Sequence, residues 1–150
     1  IRIVVGAVLV ILLTFLFGSR DYNGIGMPVI QSALAGSCRP EAFILKMIMT
    51  AVTLGAGFKG GEIVPTFFIG ATFGGAMATL IGLDPALGAA VGMAALFCGV
   101  TNCPLASIAL GFELFSGVGF WYFIPTVLIC FIISGKISLY TAQEHKYKYL

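Results

Sequence analysis

GFKGGEIVPTFFIG, residues 57–70, sets a lysine and a glutamate among glycines and follows them with a proline and an apolar run. Pro65 has a fixed φ and no N–H, which suits the first turn of a helix running on through TFFIGATFGG. Gly60, Gly61, Glu62, Ile63 and Val64 are then expected at the N-terminal mouth of that helix, where unpaired N–H groups and the positive end of the dipole converge. Two readings stay open from the residues alone. In one, the mouth receives an anion inside a bilayer, a use to which broken membrane helices are put. In the other it is an interfacial N-cap, with Glu62 complementing the dipole and Gly60 and Gly61 turning the chain.

Composition selects the setting. The chain is 59% hydrophobic and 9% charged, far from the roughly 25% charged content of a soluble domain. Residues 63–83, 85–112 and 114–135 contain no Asp, Glu, Lys, Arg or His, and a membrane span needs about 20 such residues. An all-α integral membrane protein is expected. The net charge of +2, with no basic stripe of interleaved aromatics, gives no sign of a nucleic-acid partner. Cys38, Cys98, Cys103 and Cys130 lack CxxC spacing and read as small hydrophobes rather than a disulfide framework or metal site. One tail histidine, His145, and no paired carboxylates leave little from which to build an enzyme, and no cofactor is implied.

Working outward, IRIVVGAVLVILLTFLFG at the start reads as a transmembrane helix with no targeting region before it, so the chain is expected to be a fragment. SRDYNGIGMP is a connection, and 29–35 is too short to span a bilayer. Pro40 is expected to open the next helix at its first turn, with Glu41 near its N-terminus. Lys46 falls mid-helix, where snorkelling or facing a protein-lined cavity is preferred to a transport role. Gly70, Gly74 and Ala78 form a small-xxx-small row, as do Gly88 and Gly92, and such rows let helix backbones approach closely in lipid. Asn102 and Pro104 interrupt one apolar run, which predicts two shorter helices with the break covered by protein or a water-filled cavity. Glu113, near the end of the second piece, fits a packing carboxylate, an interfacial anchor or a proton carrier. Trp121, Tyr122 and Phe123 suit an aromatic interface belt, with Pro125 tolerated in the first turns that follow. Lys136, Lys146 and Lys148 mark the C-terminus as cytoplasmic.

Several segments together resemble the CLC family of chloride channels and anion/proton exchangers. GGEIVP stands at the family's GxFxP anion-binding loop, followed in order by FIGATFGG, GMAALFCGVTNCPLASIALGFELF and GKISLY. The resemblance implies a bundle of tilted, partly broken helices forming the second half of an inverted-repeat membrane fold. Residues 1–150 would be its C-terminal half and 137–150 its final helix and cytoplasmic tail. It implies a missing N-terminal half, a homodimer in the full-length protein, and a bacterial plasma membrane as the bilayer. By the same resemblance, amides around Gly61, Glu62, Ile63 and Val64 would bind a central halide, and the Tyr140 hydroxyl would donate to that ion from the opposite side. The family's gating glutamate and serine loop belong to its first half. GIGMP at 24–28 echoes the serine loop only loosely, so that role is not transferred, and the chain by itself is expected to be incompetent for transport.

The departure from GxFxP is Glu62 followed by Ile63. An ionised carboxylate repels a halide in a low-dielectric site, so its use requires protonation, rotation away, or pairing with a charge such as Lys59. A GE-x-x-P loop resembles the fluoride/proton antiporter branch of the family, and a neutral carboxylic acid can donate a short hydrogen bond to fluoride. Fluoride/proton antiport, with Glu62 as the proton-coupling candidate, is therefore expected ahead of chloride conduction or chloride/proton exchange. A non-transporting assembly subunit is the reading from another class.

Overall fold

A computed structural model describes residues 1–117, 119–135, 138 and 139. They form seven α-helices and no strand: α1 (Arg2–Phe17), α2 (Met27–Leu34), α3 (Ala42–Gly55), α4 (Ile63–Leu80), α5 (Pro85–Thr101), α6 (Pro104–Leu114) and α7 (Phe120–Ser134). The expected final helix and tail, including Tyr140, His145 and the lysines at 136, 146 and 148, lie outside the described residues apart from Ser138 and Leu139. Among the described helices, α4 alone is long and apolar enough to cross a membrane by length and composition. Its 18 residues extend about 27 Å, close to a hydrocarbon thickness. The others are shorter apolar helices, except the eight-residue α2.

The centre of the bundle is the α4–α5 hairpin, the most extensive helix contact in the molecule. The two rows of small residues meet there in antiparallel order. A Cβ on Gly70 would lie 2.7 Å from the Gly92 carbonyl oxygen, and one on Gly88 would collide with the Ala78 methyl. Asp84 caps the return helix, its carboxylate accepting from the Ala86 amide at 3.0 Å, with Pro85 in the first turn. α3 and α2 pack on α4, α6 and α7 on α5, and α1 reaches the bundle through α3.

The break at 102–104 forms as expected. Asn102 ends α5 in the left-handed region, φ 58 and ψ 34, and α6 restarts at Pro104. Protein covers it: Asn102 is buried and its Nδ2 donates to the Gly135 carbonyl at 2.9 Å.

Two local expectations change. Pro40 lies before the N-cap of α3, which is Glu41, because the chain first makes a turn with the Ala42 amide bonded to the Arg39 carbonyl. Trp121 and Tyr122 are exposed as a belt requires, but Phe123 is fully buried and stacks on Phe115 at 5.7 Å. A helix turns about 100° per residue, so three consecutive aromatics cannot share one outer face. Glu113 is exposed at the end of α6 within this chain. None of the four cysteines is joined in a disulfide, and only Cys98 is buried.

Candidate functional site

The mouth of α4 is built as its residues dictate. Glu62 is the N-cap, and its side chain makes no capping hydrogen bond. Its carbonyl accepts the first intrahelical bond from the Thr66 amide at 3.3 Å, and the Thr66 hydroxyl at 2.8 Å. The amides of Ile63 and Val64 precede that bond and have no acceptor within the helix, while Pro65 has no N–H to satisfy. A Cβ on Gly60 or Gly61 would meet nothing within 4 Å. Packing therefore does not demand these glycines, and their amides are left approachable from outside. Glu62 is half-buried and Lys59 exposed. Among the described residues the ion pair is Arg39–Asp21 at 3.6 Å, so the mooted pairing of Lys59 with Glu62 is not formed.

Beside this mouth lies a cavity of about 600 Å³, walled by α1, the connection at 22–25, α3 and the start of α4. Gly60, Gly61, Val64 and Pro65 line it, whereas Glu62 and Ile63 do not. Its charged lining group is Lys46, 2% exposed. The Lys46 Nζ donates to the Tyr22 carbonyl at 3.0 Å and to the Gly24 carbonyl at 2.6 Å, and stands 4.9 Å from the centroid of the Phe68 ring. Lys46 thus faces a protein-lined cavity and does not snorkel. Gly24 and Gly26 have φ of 61° and 71°; that left-handed backbone turns the connection so that its carbonyls face α3, and a Cβ on Gly26 would enter the Phe68 ring. Hydroxyls nearby are satisfied by their own helices: half-buried Thr53 donates to Met49 O, and buried Thr72 to Phe68 O, each at 2.7 Å.

A second set of contacts fastens the end of α7 and the chain after it to the end of α5. Ser134 Oγ donates to Gly99 O at 2.6 Å, and the Leu139 amide to Val100 O at 2.9 Å. The expected hydroxyl donor, Tyr140, lies outside the described residues. The structure therefore brings Gly61 and Val64 together at one cavity, with Glu62 and Ile63 on the same helix end. Reasoning from sequence missed the carbonyls of Tyr22 and Gly24 and the Phe68 ring as partners of Lys46. The available signal was a lysine in an apolar helix and a YNG turn, but nothing in linear spacing joins residues 22 and 24 to residue 46. Among the described residues no group of three His, Cys, Asp or Glu is placed to hold a metal ion.

Comparison with known proteins gives one consistent neighbourhood. A family model described as voltage gated chloride channel matches residues 1–137. A chloride/fluoride channel protein of Pseudomonas syringae pv. tomato is 35% identical over 145 residues, which is 93% of this chain and 32% of the relative. An anion/proton exchange transporter of Saccharomyces cerevisiae is 31% identical over 126 residues, 73% of this chain and 16% of the relative. An H+/Cl− exchange transporter of Vibrio vulnificus is 26% identical over 117 residues, 69% of this chain and 25% of the relative. The chain spans a third or less of the length of these curated relatives.

Proposed function

The chain belongs to the voltage gated chloride channel family, and from that premise we propose that its parent protein moves fluoride across a membrane in exchange for protons. This chain contributes the second half of the membrane domain, its helix mouth forming part of the central anion site. A first half outside these residues supplies the gating glutamate, and two such subunits pair. The bilayer is a bacterial plasma membrane with the C-terminus on the cytoplasmic side. Anion transport as such is the common property in the names of the relatives; the fluoride and proton assignments are this proposal's own.

The observation that carries the reading is Glu62 at the N-cap of α4 with its carboxyl bonded to none of the helix amides. Short side chains such as Ser, Thr, Asp and Asn turn an oxygen onto those amides at an N-cap, and Glu62 does not. The amides of Ile63 and Val64 therefore stay open to an anion, with the Glu62 carboxyl beside them as the candidate proton-coupling group. A helix N-terminus attracts an anion through partial charges and hydrogen bonds, which a small dehydrated halide needs if it is also to leave again. Tyr140 completes the site as a neutral donor.

The test is reconstitution of the full-length parent in liposomes with halide and pH electrodes. Fluoride efflux exceeding chloride efflux, accompanied by proton uptake, is expected. Glu62→Gln should break the coupling and lower fluoride preference by about tenfold or more, the scale of one charge-assisted hydrogen bond. Chloride efflux equal to or above fluoride efflux overturns the fluoride assignment. With it, Glu62→Gln leaving selectivity unchanged would make Glu62 a mere cap in a chloride transporter.

A further inference from the structure

Asn102 does more than end α5. Its backbone sits at φ 58° and ψ 34°, where glycine goes freely and other residues only occasionally. The residue is 8% exposed, and its Oδ1 is buried with no hydrogen-bond partner among the described residues. A glycine here would end the helix with neither the strain nor the unpaired oxygen. Such departures persist only where the surrounding structure holds them, and they cluster at functional positions. What glycine cannot supply is Nδ2, which donates to the Gly135 carbonyl at 2.9 Å.

Gly135 is a pivot. It ends α7 at φ 58° and ψ −122°, a backbone that strains any residue with a Cβ, and nothing lies within 4 Å of where that Cβ would stand. Side-chain packing therefore leaves this turn loose, and hydrogen bonds at the end of α5 fasten it. Ser134 Oγ donates to Gly99 O at 2.6 Å just before the pivot, Asn102 Nδ2 holds the pivot itself, and the Leu139 amide donates to Val100 O at 2.9 Å beyond it. Gly99 and Val100 act through helix carbonyls that need donors in any case. Of these three α5 groups, Asn102 alone acts through a side chain.

This clamp lies at the height of the α4 mouth. α4 and α5 run antiparallel, with Gly74 against Gly88, Gly70 against Gly92 and Phe67 against Phe97, so the first turn of α4 is level with the last turn of α5. Leu139 is tied into that layer, and Tyr140 is the next residue in the chain. We propose that Asn102 is a positioning residue for the halide site: by locking the Gly135 pivot it delivers the chain that carries the Tyr140 hydroxyl to the level of the α4 mouth. The proposal rests on the reading above in which Tyr140 donates to the anion, and adds to it a residue that acts without touching the ion.

The experiment uses the full-length parent in detergent, with sodium fluoride and sodium chloride titrations by calorimetry read beside the unfolding midpoint. Asn102→Gly keeps the left-handed turn and removes Nδ2. Losing one hydrogen bond lowers the population of the clamped chain, so halide affinity is expected to fall by about threefold to tenfold. Asp84→Ala is the control: it removes a cap at the opposite end of α5, lowers the midpoint, and should keep halide affinity within about twofold of wild type. The discriminating measurement is a double-mutant cycle with Tyr140→Phe. If Asn102 acts through that hydroxyl, adding Asn102→Gly to Tyr140→Phe changes affinity by less than about twofold. Unchanged affinity in Asn102→Gly, the same loss in Asp84→Ala, or fully additive losses in the cycle overturns the proposal. If Asn102→Gly does not fold, Ser134→Ala removes the neighbouring bond to Gly99 and is read by the same criteria, with Ser134→Thr expected to retain affinity. Wild-type protein that binds neither halide, or Tyr140→Phe that binds as wild type does, overturns the tyrosine-site reading and this inference with it. Affinity lost in Tyr140→Phe but kept in Asn102→Gly overturns this inference alone.

Discussion

Replacing Gly70 by alanine tests the part of the fold on which the helix mouth stands. The new methyl carbon would lie 2.7 Å from the Gly92 carbonyl oxygen, 2.8 Å from the Met93 Cα and 3.2 Å from the Gly92 carbonyl carbon. All three are backbone atoms of α5, so no side chain can rotate aside. Restoring ordinary contact near 3.4 Å requires the helices to part by about 0.6–0.7 Å, and a gap of that size forfeits roughly a quarter to a half of each dispersion contact along the seam. Overpacking costs about 1–3 kcal/mol, with the upper half of that range fitting backbone neighbours. The better helix propensity of alanine offsets about 0.5–1 kcal/mol. A net loss of about 1–2.5 kcal/mol follows. Gly55→Ala is the control, because a Cβ there meets nothing within 4 Å and its φ is not positive; only the propensity gain of about 0.5–1 kcal/mol remains. Unfolding midpoints of the full-length parent in detergent should therefore move in opposite directions. Halide efflux should fall in Gly70→Ala, since Gly70 lies about two turns below the Glu62 end of the same helix. Equal midpoints for the two variants would refute backbone contact between α4 and α5.

Substitutions at two further positions probe the ends of α5. Asp84→Ala removes the carboxylate that accepts from the Ala86 amide at 3.0 Å and should lower stability by about 0.5–2 kcal/mol, read as a lowered unfolding midpoint; no change would show the cap to be idle. Asn102→Gly keeps the left-handed backbone but loses the bond to Gly135 O, for about 0.5–1.5 kcal/mol. Asn102→Leu adds left-handed strain of about 1–2 kcal/mol and should be the less stable of the two in the same assay, so the reverse order would contradict the strain argument.

The helix mouth was legible in residues 57–70 because proline and glycine act locally: Pro65 selects the first turn of a helix, and the glycines before it leave amides bare. The break at Asn102 and Pro104 was legible for the same reason. The small-residue rows predicted close packing, but only the fold paired Gly70 with Gly92 and Ala78 with Gly88. Phe123 was misplaced because its side depends on the phase of α7 against α5 and α6. Pro40 was misplaced by two residues because the Arg39–Ala42 turn competes with helix initiation. At the site, Gly61 and Val64 reach the cavity while Glu62 and Ile63 turn from it, a difference of helical phase within a single turn.

Composition and punctuation by themselves determined an all-helical membrane chain and an exposed helix N-terminus with Glu62 at its lip. Those are consequences of hydropathy and of dihedral preference, which act within a few residues. The tertiary structure decided what that terminus faces: Lys46, 16 positions earlier in the chain, is brought to the same cavity and held by carbonyls of Tyr22 and Gly24. Such contacts act through space, so Lys46 could be placed beside the helix end only once α1, α3 and α4 had packed together.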